Sequence, residues 1–406
     1  MRIRLRLPPI DLPLALAALL LVTFGLLVVY SATSIPGAHE GLWTRQLVWA
    51  LVALGGAWLA ASIHHRIYDS LAYPLYAISV ILLGLVLVMG TSAMGAKRWL
   101  DIGPIRFQPS EIAKLGTVLM LARRFDNPKL DLRKIRHWLP ALVLTLIPFV
   151  LVAKQPDLGT SLSFPVILVA MYFWAGMTSG NLLLGLSPVF NAVLFFTTHS
   201  LWWFGGLLAI LLGIIRPRFS TLIVILALNG AVAYALPHAW SHMADYQKRR
   251  IETFINPGED PYGAGYQIIQ SRIAIGSGGF TGKGYLKGSQ KALSFLPMRH
   301  TDFIYSVVGE ELGFLGALTV VLLYAVIILR GFRLAVLARN GFASLMAVGL
   351  VSALFYHIMV NMLMTIGWAP VTGLPLPLLS YGGTALLVNG LQIGLLQNVA
   401  LRRQEI

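Results

Sequence analysis

The chain has 406 residues, 57% hydrophobic and only 12% charged, with a formal charge of +15 and a mean hydropathy of +0.75. A soluble domain carries roughly 25% charged residues, so this composition describes a polytopic membrane protein. The lack of cysteine excludes disulfides, thiolate metal sites and a cysteine nucleophile, and basic residues scattered over short loops suit anionic lipids or an anionic substrate better than nucleic acid.

Apolar runs at about 11–31, 44–62, 71–90, 108–124, 138–153, 158–176, 181–196, 201–215, 219–237, 302–330, 342–366 and 378–401 predict an all-α membrane bundle of twelve helices. The first run lacks a small-residue cleavage site and reads as a retained helix. The runs at 181–196 and 201–215 are short and form a hairpin around Thr197-Thr198-His199-Ser200. The whole chain, 1–406, reads as one transmembrane domain with a large polar loop at 238–301. Lys and Arg concentrate at the N-terminus, at Arg123 to Arg136, at Arg216 and Arg218, at Arg330 to Arg339 and at Arg402-Arg403. Both termini are therefore expected to be cytoplasmic, with the loop at 238–301 outside.

This topology gathers the polar helix starts on the outer side. Helix four begins at Gln108-Pro109-Ser110-Glu111, with Lys114 one turn on; helix six begins at Gln155-Pro156-Asp157; helix ten begins at Thr301-Asp302. Asp302 sits at a water–membrane boundary, where partial desolvation raises the basicity of a carboxylate and suits it to act as a general base. The competing role is a helix N-cap. Lys114 and Asp157 would each cost about 2.5–3.5 kcal/mol at a helix centre, so they are expected to pair with each other, or Lys114 with Glu111 three residues before it, and to form a polar floor under a cavity. Lys97-Arg98-Trp99 joins two cations to an interfacial aromatic, a combination that suits a diphosphate or a membrane anchor. Arg249, Arg250 and Arg272 make the long loop cationic. Gly276 to Gly284 does not fit a P-loop and reads as a re-entrant or surface loop. At least one of Glu310 and Glu311 should face the bundle interior. His357 and Asn361 share a helix face and are expected to make hydrogen bonds rather than bind zinc.

Gly95-Ala96-Lys97-Arg98-Trp99, Gln108-Pro109-Ser110-Glu111, Gln155-Pro156-Asp157-Leu158-Gly159-Thr160, Gly263-Ala264-Gly265-Tyr266-Gln267, His300-Thr301-Asp302-Phe303, Gly309-Glu310-Glu311-Leu312-Gly313 and Ser380-Tyr381-Gly382-Gly383 together resemble the signatures of the SEDS family (shape, elongation, division and sporulation). Ile273 to Gly279 is more similar to its RodA branch than to FtsW. The family pattern has about ten helices, so 181–215 resembles an inserted hairpin, and Met298 stands where an acid is commoner.

The resemblance implies a peptidoglycan glycosyltransferase that polymerises lipid II on the outer face of the bacterial cytoplasmic membrane. Asp302 would be its base, and Lys97, Arg98, Trp99, Lys114, Asp157, Arg249, Arg250, Arg272 and Ser380 its substrate-binding residues. It implies a class B penicillin-binding protein as partner. No organic cofactor is expected; a divalent cation, Mg or Mn, is an alternative to the arginines for neutralising the leaving diphosphate. A lipid II flippase or a scaffold of the wall-elongation complex are the competing readings.

Overall fold

A computed structural model describes residues 10–34, 41–93, 96–103, 105–132, 134–198, 202–242, 248, 253–254, 265–289 and 298–405. Its elements in chain order are α1 (Leu12–Thr33), α2 (Leu42–Ser62), α3 (His65–Met89), β1 (Thr91–Ala93), β2 (Ala96–Ile102), β3 (Ile105–Phe107), α4 (Pro109–Phe125) and α5 (Ile135–Ala153). There follow α6 (Leu158–Ser161), α7 (Ser163–Trp174), α8 (Ser179–Thr198), α9 (Trp202–Ile215), α10 (Phe219–His242), α11 (Tyr266–Ser277), α12 (Ile304–Leu337), α13 (Gly341–Thr365) and α14 (Gly383–Leu401).

The helical membrane bundle expected from the apolar runs is what forms, and each run is met by helix. Among the described residues, seven helices are long and apolar enough to cross a bilayer on their own: α1, α3, α5, α10, α12, α13 and α14. α13 and α14 are the central helices, with 72% and 78% of their spanning windows buried. α14 lies along α2, α3 along α4, and α12 between α1 and α13. The α2–α14 approach is set by small residues: a Cβ added at Gly394 would come within 2.2 Å of the Ala57 carbonyl oxygen, so the backbones meet without intervening side chains. The hairpin α8–α9 packs with α10 in a separate cluster of Leu184, Leu208 and Ile225, where Asn229 donates to the Ser187 hydroxyl at 2.7 Å.

One end of the bundle is latched near the N-terminus of α1. Asp11 caps that helix through Leu14 N at 3.1 Å, receives Arg330 Nε at 3.0 Å and exchanges two hydrogen bonds with the Gln397 amide, each 2.9 Å. The polar motifs collect at the opposite end.

Two features depart from the sequence reading. β1, β2 and β3 form a three-stranded antiparallel sheet, with Thr91 opposite Trp99 and Leu100 opposite Phe107. The interval taken as loop contains α11, which packs on α12. The last helix begins at Gly383, after the Pro- and Gly-marked stretch 375–383 that was expected to precede it.

Candidate active site

α12 is broken. Gly313 takes φ 63°, ψ −158°, which interrupts the helical ladder and leaves backbone groups without intrahelical partners. The glycine-rich segment after α11 supplies them. Lys283 N donates to Glu310 O and Gly284 N to Glu311 O, both at 3.0 Å; Phe314 N donates to Gly279 O at 2.9 Å and Leu315 N to Phe280 O at 3.2 Å. Only glycine allows this approach, since a Cβ on Gly282 would lie 2.2 Å from Glu311 O and one on Gly313 2.3 Å from Gly282 N. The expected surface or re-entrant loop is therefore the cap of a broken membrane helix.

Side chains lock the same junction. Glu310, 1% exposed, receives Lys283 Nζ at 2.8 Å, Ser289 N at 2.8 Å and Ser289 Oγ at 2.9 Å. Glu311, 2% exposed, receives the Ser31 hydroxyl of α1 at 2.6 Å and Leu286 N at 3.3 Å. Both glutamates thus face inward, as intramembrane carboxylates must. The residues after Gly313 in α12 number enough to cross a bilayer, at about 1.5 Å of rise each. The segment from Ile304 to the break is surplus to crossing, and Asp302 stands at its head.

Asp302 is not the helix cap. The N-cap position belongs to Phe303 and carries no side-chain hydrogen bond. Residues 298–303 form turns in which Asp302 N donates to Met298 O at 3.1 Å. Asn361 of α13 then fixes the Asp302 backbone, its Nδ2 donating to Asp302 O at 2.9 Å and to Leu374 O at 2.7 Å. The half-buried carboxylate lies over Gly373, where an added Cβ would be 3.5 Å from Oδ2. Ser380, 4% exposed, is occupied structurally: its hydroxyl donates to Thr301 O at 2.6 Å and accepts from Leu376 N at 2.9 Å. Gln46 of α2 holds the next residues, bonding Ser380 O at 3.1 Å and Gly382 N at 3.2 Å. Arg299 lies buried against α1, its Nε donating to Ala32 O at 2.9 Å, and burial lowers its proton affinity.

The expected Lys114–Asp157 pair does not form. Lys114, 2% exposed, takes the local option instead: its Nζ lies 2.9 Å from Glu111 Oε1 and 2.7 Å from His357 Nε2. His357 is one turn from Asn361 on the same face of α13, so this buried group lies beneath the Asp302 turn. Asp157 caps α6, accepting from Thr160 N at 3.1 Å and Thr160 Oγ1 at 2.9 Å. Arg98 of β2 reaches it, with Nε 3.7 Å from Asp157 Oδ2 and an η-nitrogen 2.5 Å from Pro156 O.

The Asp157 and Asp302 groups meet at one stretch of chain. Gly159 packs against Thr372 and Leu374, while Asp302 faces Gly373 between them. Trp99 is half-buried on β2, and Lys97 stands on the same strand opposite Ser92. Arg272 is exposed on α11, its stem beside Gly367. Arg249 and Arg250 lie outside the described residues. Sequence reasoning missed Gln46 and Gly373; a lone Gln in an apolar run was the available signal for the first.

Fold and site together define a multi-pass helical membrane protein that assembles a carboxylate, cations and glycine-shaped loops at one end of its bundle. The chain belongs to the cell cycle protein family of FtsW, RodA and SpoVE, the SEDS proteins, whose model matches residues 12–202 and 186–405. It is 40% identical over 396 residues to the peptidoglycan glycosyltransferase MrdB of Escherichia coli K12, covering 97% of this chain and 94% of that one. Identity to the probable peptidoglycan glycosyltransferase FtsW of Trichlorobacter lovleyi is 35% over 403 residues, covering 97% and 94%. Among solved structures it resembles a chain of a peptidoglycan synthase complex that coordinates polymerization and crosslinking, with TM-score 0.74, 32% identity and coverage of 98% and 99%. The rod shape determining protein RodA of Thermus thermophilus follows with TM-score 0.66, 29% identity and 98% coverage of both chains.

Proposed function

We propose that this protein is a peptidoglycan glycosyltransferase that polymerises lipid II on the outer face of the bacterial cytoplasmic membrane during cell elongation. Asp302 is its general base. The observation that carries this role is that Asp302 stands at the head of the broken segment of α12, its backbone held by Asn361 and its carboxylate over Gly373. The carboxylate takes the proton of the GlcNAc 4-hydroxyl. That oxygen bonds to C1 of the muramyl sugar of a second lipid-linked chain, the C1–diphosphate bond breaks with inversion, and undecaprenyl diphosphate departs with the electron pair.

The leaving group carries negative charge and needs cations, for which Lys97, Arg98, Arg249, Arg250 and Arg272 are the candidates. Lys114 and Asp157 serve from beneath, holding the floor through Glu111, His357 and Thr160. A divalent cation, Mg or Mn, would add Lewis-acid neutralisation of the diphosphate. The one group of three possible protein ligands among the described residues, His64, His65 and Glu405, is at the other end of the bundle. A metal at Asp302 would not find a three-residue His, Asp or Glu group among the described residues. The likeness to a synthase complex supports a penicillin-binding partner, here of class B, supplying transpeptidation.

The test is to follow labelled lipid II into polymer with the purified protein, alone and with its partner, the transpeptidase being blocked. Polymer from wild type and a loss of 10²-fold or more in folded Asp302→Ala and Asp302→Asn supports the assignment. Normal polymerisation by those variants removes Asp302 as base, and absence of polymer from the wild-type complex supplied with divalent metal favours a flippase.

A further inference from the structure

At the end of the bundle opposite Asp302, a cavity of about 420 Å³ opens between α3, α4 and α5, lined by Tyr73, Arg123, Arg124, Asn127, Lys129, Leu130 and His137. Its polar lining presents donors. Arg123 stacks over the Tyr73 ring at 5.5 Å, with Asp69 Oδ1 3.7 Å away. Arg124 gives one bond, to His137 O at 3.2 Å, and its buried Nε has no hydrogen-bond partner. The Asn127 Oδ1 is taken by Lys129 N at 3.0 Å, which leaves the Asn127 amino group to donate. His137 Nδ1 is held by the Asp131 backbone, 2.8 Å from its N and 3.0 Å from its O, so the ring is fixed in place at the cavity edge. No ion pair neutralises Arg124 or Lys129 among the described residues. The helix C-terminus of α4 explains a preference for cations here, but not a cavity whose acceptors are already used.

We propose that this cavity binds the phosphate of an anionic glycerophospholipid from the leaflet opposite the polymerising site. Three cations and the Asn127 amide converge on a space with room for a phosphodiester and its glycerol, and guanidinium groups match phosphate oxygens in bidentate geometry. A free phosphate compound has the same headgroup chemistry, but the cavity lies at the ends of membrane helices. On α3 the lining Tyr73 is itself 43% accessible, an aromatic face on which acyl chains can lie. Basic pockets between transmembrane helices on the cytoplasmic side are suited to such lipids.

Native mass spectrometry of the full-length protein, released from membranes of mixed phosphatidylglycerol and phosphatidylcholine, tests this. Wild type should retain phosphatidylglycerol at least tenfold more than the Arg124→Ala/Lys129→Ala double variant, with phosphatidylcholine retention unchanged between them. The single Lys129→Gln variant, altered only at an exposed side chain, should show an intermediate loss while melting at the wild-type temperature. Equal phosphatidylglycerol retention by wild type and double variant overturns the proposal. So does equal retention of the two lipids by wild type, or displacement of the lipid by millimolar inorganic phosphate.

Discussion

Asn361 Nδ2 donates at once to the carbonyl of Asp302, at 2.9 Å, and to that of Leu374, at 2.7 Å. One amide thereby ties the turn that carries the carboxylate to the stretch containing Gly373, over which that carboxylate lies. Its distance from solvent makes it a positioning residue.

Asn361→Ala deletes both bonds and leaves two buried carbonyls less satisfied, a cost of about 1–3 kcal/mol. The expected outcome is a 10- to 100-fold fall in kcat for lipid II polymerisation with KM changed less than threefold, because the base is displaced while the outer cations are untouched. Asn361→Asp, which keeps the size but loses the donor, should fall as far. A purely structural role would instead lower the melting temperature and the amount of folded protein at unchanged kcat.

The cap on broken α12 predicts a contrast between glycines in one short segment. A side chain at Gly282 would meet Glu311 O at 2.2 Å and sit at φ +82°, whereas Gly276 has open space around its Cβ position. Gly282→Ala should lower the melting temperature by several degrees and reduce polymerisation, through strain of about 1–3 kcal/mol at the junction. Gly276→Ala should leave both within error. Scanning fluorimetry of the two variants side by side checks the difference.

Much of this architecture is legible in the chain because crossing a bilayer demands long apolar runs, and every such run became helix. The inward glutamates and the hydrogen-bonding role of His357 and Asn361 were visible for a related reason: a polar group inside an apolar run must find a partner. What stayed hidden depends on contacts between distant segments. Gly309-Glu310-Glu311-Leu312-Gly313 reads as uninterrupted helix, and the break at Gly313 is tenable only because residues 279–284, far back in the chain, supply the missing partners. The small sheet escaped because β1 and β3 have three residues each, too few to show an alternating pattern. Asp157 was paired with the wrong cation: Glu111, three residues before Lys114 on the same helix, needs no rearrangement to reach it.

That local pair yields the last prediction. Lys114 and Glu111 are both almost fully buried, and His357 completes the group from α13. Lys114→Met leaves the Glu111 carboxylate uncompensated and should destabilise the protein by about 3–5 kcal/mol, read as a large drop in melting temperature or loss of folded material. Adding Glu111→Gln removes the stranded charge and should recover most of that stability, giving a coupling energy of opposite sign to the single losses in a double-mutant cycle. Polymerisation by the stable double variant then separates two roles. If the pair only joins α4 to α13, activity returns with the fold; if its charges act on the site above, kcat stays at least tenfold low in a protein that melts normally.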